Sequence, residues 1–257
     1  MTPIRSMNEI EKIHVASKIV SACHKHIKPL VQPGITTMEI NDIAEKFIRD
    51  QGGIPEQIGY MGYPYATCTS VNDEICHGFP GKYKLQSGDL VTVDTVVSVD
   101  RWFGDSAWSY AVGEVPNKVK RLMETTLKSL YIGIEQAIPG NRIGDVSHAI
   151  QVYAENKGYS VVRDFTGHGI GRVMHDGLGV PHFGKPGKGP RILPGMVFTI
   201  EPMINTGTWK CTVDPNGWTA RTLDGGLSCQ YEHTIAITED GPMILTLQDD
   251  EPWNQGI

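Results

Sequence analysis

The sequence predicts an α+β protein in which two halves, related by a pseudo-twofold, share a central antiparallel β-sheet with helices on the outside. Three observations carry this reading. The chain repeats itself at a near-constant offset, each repeat opens with two amphipathic helical segments, and each closes on a strand pair with one acid per strand. "PGITTMEINDIAEKFIRDQGG" from Pro33 aligns with "PGNRIGDVSHAIQVYAENKGY" from Pro139 at an offset of 106. That sets Pro33-Gly34 on Pro139-Gly140, Glu39 on Asp145, Phe47 on Tyr153 and Gly52 on Gly158. "SGDLVTVD", ending at Asp94, aligns with "PGMVFTIE", ending at Glu201, at an offset of 107. "GDSAWSYAVGE" aligns with "YEHTIAITED" and sets Asp105 on Glu232. We read one domain over 1–257, with repeats over about 8–113 and about 116–248.

The elements follow in order. Residues 8–30 carry Ile10, Ile13, Val20 and Ile27 at helical spacing. Thr36 with Glu39 three residues on is a capping box, and it opens a helix with Ile40, Ile43, Phe47 and Ile48 on one side. "GDLVTVDTVVSVDRWFGDSAWSYAVG", Gly88 to Gly113, alternates apolar and small polar residues through Leu90, Thr92, Val93, Val97 and Val99, a strand pattern. Asp100 and Arg101 supply a turn, and Trp102 to Val112 is the returning strand. With the turn centred between Val99 and Asp100, Asp94 faces Asp105 directly. Cross-strand partners stand about 5 Å apart, and like charges placed there destabilise a sheet. Val119, Leu122, Met123, Leu127, Leu130 and Ile134 mark a third helix; Val146, Ile150 and Tyr153 mark a fourth.

Bulk properties narrow the function. At 257 residues, with 40% hydrophobic and 20% charged residues, the composition is that of a soluble globular protein with a sizeable core. A net charge of −6 gives no basic footprint for nucleic acid, and scattered Lys and Arg give none for an anionic membrane. No window approaches the roughly 20 apolar residues of a membrane span, and the polar start of the chain carries no signal-peptide pattern. The five cysteines form no CxxC pair, which fits a reducing cytoplasm better than a disulfide framework.

Four acids aimed at one axis need an explanation. Buried carboxylates without compensation cost far more than packing offsets, and either protonation or cations must relieve them. With four, metal ions are the more economical solution. The remaining ligand candidate is His168 in "FTGHGIGRVMHDGLGVPHFG"; "GHGIG" lacks the Lys-Ser/Thr ending of a phosphate loop.

Asp94, Asp105, His168, Glu201 and Glu232, in this order and spacing, resemble the five-ligand dinuclear site of the type I methionine aminopeptidases. "NDEICHGFP", "GHGIG", "FTIEPM" and "SCQYEHT" extend the resemblance over nearly the whole chain, which has the length of the short bacterial form. The resemblance implies the pita-bread fold and two divalent ions per chain, of Co, Mn, Fe(II) or Zn. It implies that Asp94 binds one metal, that His168 and Glu201 bind the other, and that Asp105 and Glu232 bridge both. A hydroxide held between the ions would attack the first peptide bond, with Glu201 as general base. His77, in "CHGFP", would bond the peptide nitrogen beyond the scissile bond, and His175, in "VMHDG", the oxyanion. Tyr60, Tyr63, Cys68, Met174 and Trp218 match the pocket for an unbranched thioether. Asn72 and Ser228 match positions near a monovalent-cation site. Gln57 and Met174 depart from the family pattern, where many bacterial members have Cys and Phe, and bear on rim shape. The implied partners are N-terminal methionyl peptides and nascent chains with a small second residue, met by a cytoplasmic monomer in transient contact with the ribosome.

The nearest rival is a proline-directed enzyme of the same fold, an aminopeptidase P or prolidase. Those carry a further N-terminal domain and a histidine four residues before the metal-binding one, where this chain has Asp164. A binding module that has lost its ligands is disfavoured by the presence of all five. A two-metal phosphoesterase is disfavoured by the lack of a Lys/Arg cluster. His182, His14, His24, His26 and His148 are expected to be structural or solvated, and His233 to pack on the strand face opposite Glu232.

Overall fold

The computed structural model describes residues 2–251 and 253. The first half opens with α1 (Met7–Ile27), capped by Ser6 and Glu9, and α2 (Thr37–Asp50), whose Thr36–Glu39 capping box forms as the sequence implies. Pro29 cannot continue the α ladder, so residues 28–30 tighten into a single 3-10 turn. Strands β1 (Ile54–Pro55), β2 (Cys68–Val71), β3 (Glu74–Cys76), β4 (Leu90–Val99) and β5 (Trp102–Ala111) follow. The second half repeats the plan with α3 (Asn117–Gln136) and α4 (Ile143–Asn156). Its strands are β6 (Ser160–Val161), β7 (Gly167–His168), β8 (Gly179–Val180), β9 (Val197–Ile200), β10 (Met203–Asn205), β11 (Cys211–Val213), β12 (Ala220–Thr222), β13 (Ser228–Gln230), β14 (His233–Thr238) and β15 (Gly241–Ile244).

The halves match in detail. Gly34 and Gly140 both adopt left-handed backbone, at φ +100° and +97°. The N–H of the first donates to Leu85 O at 2.7 Å and that of the second to Ile192 O at 3.1 Å. Residue pairs Ile54↔Ser98 and Ser160↔Asn205, which correspond under the sequence offsets, are paired alike. Each half packs its own core: Val20, Ile40, Ile48 and Val97 in the first, Leu122, Ile134, Ile150 and Ile200 in the second, with Trp108 touching both.

The β4–β5 register departs from the sequence expectation. Asp100 and Arg101 both have positive φ, 49° and 62°, so they are the two central residues of a type I′ turn. Val99 therefore pairs with Trp102, Asp94 with Ala107 and Val96 with Asp105. Asp94 and Asp105 share a face as diagonal neighbours, not as direct partners. Direct opposition occurs in the second half instead. Met203↔Gln230 and His233↔Ile200 keep one register, and within it Glu201 stands opposite Glu232. The ladder opens at that pair, where Pro202 has no N–H to give. The halves join across β5: Glu232 N–H donates to Ala107 O at 2.8 Å. The Ser106 hydroxyl donates to Glu232 O at 2.6 Å, and that of Ser109 to Gln230 O at 2.7 Å.

Candidate active site

Asp94 lies on β4, Asp105 on β5, His168 at the end of β7, and Glu201 and Glu232 at the breaks before β10 and β14. All five line one cavity of about 360 Å³. His168 Nε2 is 3.4 Å from Asp105 Oδ2 and 3.6 Å from Glu201 Oε1. Asp105, His168 and Glu232 each offer a ligand atom within 4.8 Å of the others.

Neighbouring hydroxyls and amides fix these groups. Thr199 Oγ1 accepts the His168 N–H at 3.0 Å and donates to Glu201 Oε1 at 2.9 Å, while Gln230 Nε2 donates to Glu201 Oε2 at 3.3 Å. Thr234, the cross-strand partner of Thr199, donates its hydroxyl to Asp105 O at 2.8 Å and accepts the Asp105 N–H at 3.2 Å. Beside the ladder break, His182 Nε2 accepts the Glu201 N–H at 3.0 Å. His182 is fully buried, and burial pushes its pKa down to about 3, so it is a neutral acceptor.

The electrostatics call for cations. Burial first, then mutual repulsion, raises Asp94, Glu201 and Glu232 well above the usual carboxylate range. Burial raises Asp105 to about 7. His168 Nδ1 lies 3.2 Å from Gly169 O, which assigns the proton to Nδ1 and turns the Nε2 lone pair toward two carboxylates. Burial holds this imidazole neutral, with its pKa lowered to about 4. Asp105 Oδ1 is buried without a partner. Lone pairs facing lone pairs, with no Lys or Arg among the lining residues, is an arrangement that divalent metal satisfies. Carboxylate oxygens with one imidazole suit Mn, Fe(II), Co and Zn.

The other sequence-predicted residues collect around the same cavity: His77, His175, Tyr60, Tyr63, Cys68, Met174 and Trp218 all line it. Tyr63 and Trp218 meet edge to face at 5.1 Å, and His77 packs on Trp218 and Phe165. Burial lowers the His77 pKa to about 4. His175 sits at the exposed mouth with Nδ1 2.8 Å from the Tyr60 hydroxyl, its pKa lowered by partial burial and by His168. Gln57 is buried, and only with Nε2 toward Ala66 O, at 2.7 Å, does it avoid setting two carbonyl oxygens together. Asn72 and Ser228 meet outside the cavity lining, where Ser228 N–H donates to Asn72 O at 2.8 Å and Ser228 Oγ is buried without a partner. His233 faces away as expected, bonded to Thr246 and Glu251 at 2.9 Å each. The sequence reading missed Thr199, Thr234 and Gln230 as contacts of the cluster and took His182 as merely structural. The "FTIE" and "CQYEHT" stretches contain three of these four, so proximity to the acids in sequence is the one signal available.

The family described as Metallopeptidase family M24 matches residues 11–239. Methionine aminopeptidase A of Synechocystis sp. is 51% identical over 243 residues, covering 94% of this chain and 96% of that one. Methionine aminopeptidase 1 of Bacillus subtilis is 45% identical, covering 94% and 98%. The crystal structure of methionine aminopeptidase from Rickettsia prowazekii superposes with a TM-score of 0.95 at 43% identity, over 96% of this chain and 100% of that one.

Proposed function

The chain belongs to metallopeptidase family M24, and from that premise we propose that it removes the N-terminal methionine from peptides and nascent proteins with a small second residue. The observation that carries this is the cluster of four carboxylates and one imidazole at the wall of a cavity that Tyr63, Cys68, Met174 and Trp218 also line. The fold is the pita-bread arrangement, and the family uses divalent metal. We assign two ions, of Co, Mn, Fe(II) or Zn: Asp94 would hold one, His168 and Glu201 the other, and Asp105 and Glu232 both. Bound there, divalent metal supplies a Lewis acid for the scissile carbonyl and a water acidic enough to attack at neutral pH.

The chain's own groups do the rest. Glu201 takes the proton of the attacking water and returns it, while Thr199 and Gln230 hold its two oxygens in place. With the Tyr60 hydroxyl assigned as donor to His175 Nδ1, Nε2–H is left as the donor for the developing oxyanion. His77 bonds the peptide nitrogen beyond the scissile bond. Tyr63, Cys68, Met174 and Trp218 take the thioether, with Gln57, just past β1, on the same lining. Asn72 and Ser228 hold a monovalent cation, which the unpartnered Ser228 hydroxyl supports. We read the chain as one catalytic domain acting as a cytoplasmic monomer in transient contact with ribosomes. No helix among the described residues is long and apolar enough to cross a membrane.

Incubating the protein and Mn(II) with Met-Ala-Ser tests the reading. We expect free methionine, slower release from Met-Leu-Ser, no cleavage of an X-Pro peptide, and loss of all activity on chelation. Cleavage of the X-Pro peptide without release of methionine would overturn it.

A further inference from the structure

Behind the two imidazoles of the cavity lies an ion pair that the hydrolytic machinery does not use. Arg5, in the segment before α1, places Nη2 3.3 Å from Asp176 Oδ2, with the side chains 12% and 6% exposed. Arg5 Nε and Asp176 Oδ1 are both buried without a hydrogen-bond partner, so the pair is held by one prong of a possible two.

The chain makes room for this pair. A Cβ on Gly171 would lie 2.4 Å from Arg5 Nη2, and one on Gly169 would lie 1.8 Å from Asp176 Oδ1. The last two glycines of "GHGIG" thus admit a charge pair. Gly169 directly follows His168, and Asp176 directly follows His175. The acid therefore adjoins one imidazole along the chain and touches the residue beside the other. Asp176 N–H donates to Gly169 O at 2.9 Å, which closes the loop between them. Arg5 is anchored independently: its N–H donates to Gly195 O at 2.7 Å, and its guanidinium lies 5.9 Å from the Trp102 ring. The two imidazole centroids are only 4.0 Å apart. A small shift of the loop would redirect both.

We propose that Arg5 is a positioning residue for the reaction. By holding Asp176 it sets the spacing of His168 and His175. The inference rests on the aminopeptidase reading above. A guanidinium suits the task because its planar fork fixes the direction of the carboxylate, which an ammonium does not.

The test compares wild type, Arg5→Met, Arg5→Lys and the double variant Arg5→Met/Asp176→Leu, each with saturating Mn(II), by Met-Ala-Ser kinetics and by Tm. Arg5→Met should lower kcat by about 10–100-fold, the range for outer partners of catalytic ligands, with KM little changed. It should also lower Tm, because it strands a buried carboxylate. The double variant removes that carboxylate and should recover Tm while kcat stays low. Arg5→Lys should fall between wild type and Arg5→Met in kcat. Recovery of kcat together with Tm in the double variant would make the pair merely structural and overturn the proposal. So would unchanged kcat in Arg5→Met while wild type releases methionine. A wild type that releases none overturns the aminopeptidase reading, and this inference with it.

Discussion

Two clusters of acids in this molecule are stabilised in opposite ways. Around Arg221, Asp73 Oδ1 lies at 3.0 Å, Glu74 Oε1 at 2.6 Å and Asp214 Oδ2 at 2.8 Å. One guanidinium serves three carboxylates on the partly exposed β11–β12–β3 sheet. In the cavity, Asp94, Asp105, Glu201 and Glu232 have amides, hydroxyls and one neutral imidazole near them, but no cationic side chain. The difference separates structural from chemical use of negative charge. Where the charge only joins strands, the chain carries its own counter-ion. Where we assign the charge to a Lewis acid, the chain withholds a counter-ion, and the unloaded site bears the electrostatic penalty.

The strongest way to break this contrast is to neutralise one acid in each cluster. Asp94→Asn removes a carboxylate that nothing in the chain replaces. Outer hydrogen-bond partners of metal ligands already cost about 10–100-fold when lost, so a carboxylate assigned as a ligand should cost more than that in turnover. Bound Mn(II), read by elemental analysis after gel filtration, should fall as well. Asp214→Asn should leave both near wild type, because Arg221 retains two partners. Near-normal turnover in Asp94→Asn would end the distinction between the clusters.

A smaller but diagnostic effect lies in the pH dependence of stability. The cavity acids have folded pKa values above their unfolded ones, with Asp105 raised to about 7. A group of this kind is protonated in the folded chain and ionised in the unfolded chain between its two pKa values. Stability therefore falls as pH rises through that window. The buried histidines act oppositely below their ordinary value of 6.5, where the unfolded chain binds protons that the folded one refuses. Above about pH 6.5 their opposing slope fades over about one pH unit. Chelated protein should thus lose stability from about pH 6.5 to 8, and Mn(II)-loaded protein should lose less, because metal keeps the acids ionised. Denaturant midpoints at the two pH values check this. A chelated protein as stable at pH 8 as at pH 6.5 would contradict the stated penalty.

Much of the site could be read from the sequence, and the reason is local. Strand alternation and the offset repeat place Asp94, Asp105, Glu201 and Glu232 on one face without any knowledge of tertiary contacts. The register of the first pair was misjudged because an Asp100-Arg101 turn lacks the Asn-Gly or Asp-Gly signature of a type I′ hairpin. What stayed hidden is long-range. Arg5 reaches Asp176 across 171 residues, and Tyr60 reaches His175 across 115. No periodicity encodes such meetings. His182 looked inert because its role, accepting the Glu201 N–H, arises only where Pro202 ends the ladder.

The smallest expected effect tests the self-neutralised cluster. Arg221→Met leaves Asp73, Glu74 and Asp214 without their shared cation, yet all three keep some solvent access. Exposed ion pairs contribute about 0–1 kcal/mol each, whereas stranding a fully buried charge costs about 3–5 kcal/mol. Glu74, the least exposed of the three at 15%, already has its pKa raised by burial and can protonate to limit the damage. A loss of about 1–2 kcal/mol follows, which for a chain of this size is a Tm drop of about 2–8 °C. Added salt should shrink the drop by screening the uncovered acids. Bound Mn(II) should not change, since Arg221 has no part in the cavity lining. A matching loss of metal would mean that the two clusters are coupled through β12 and β3 into one network.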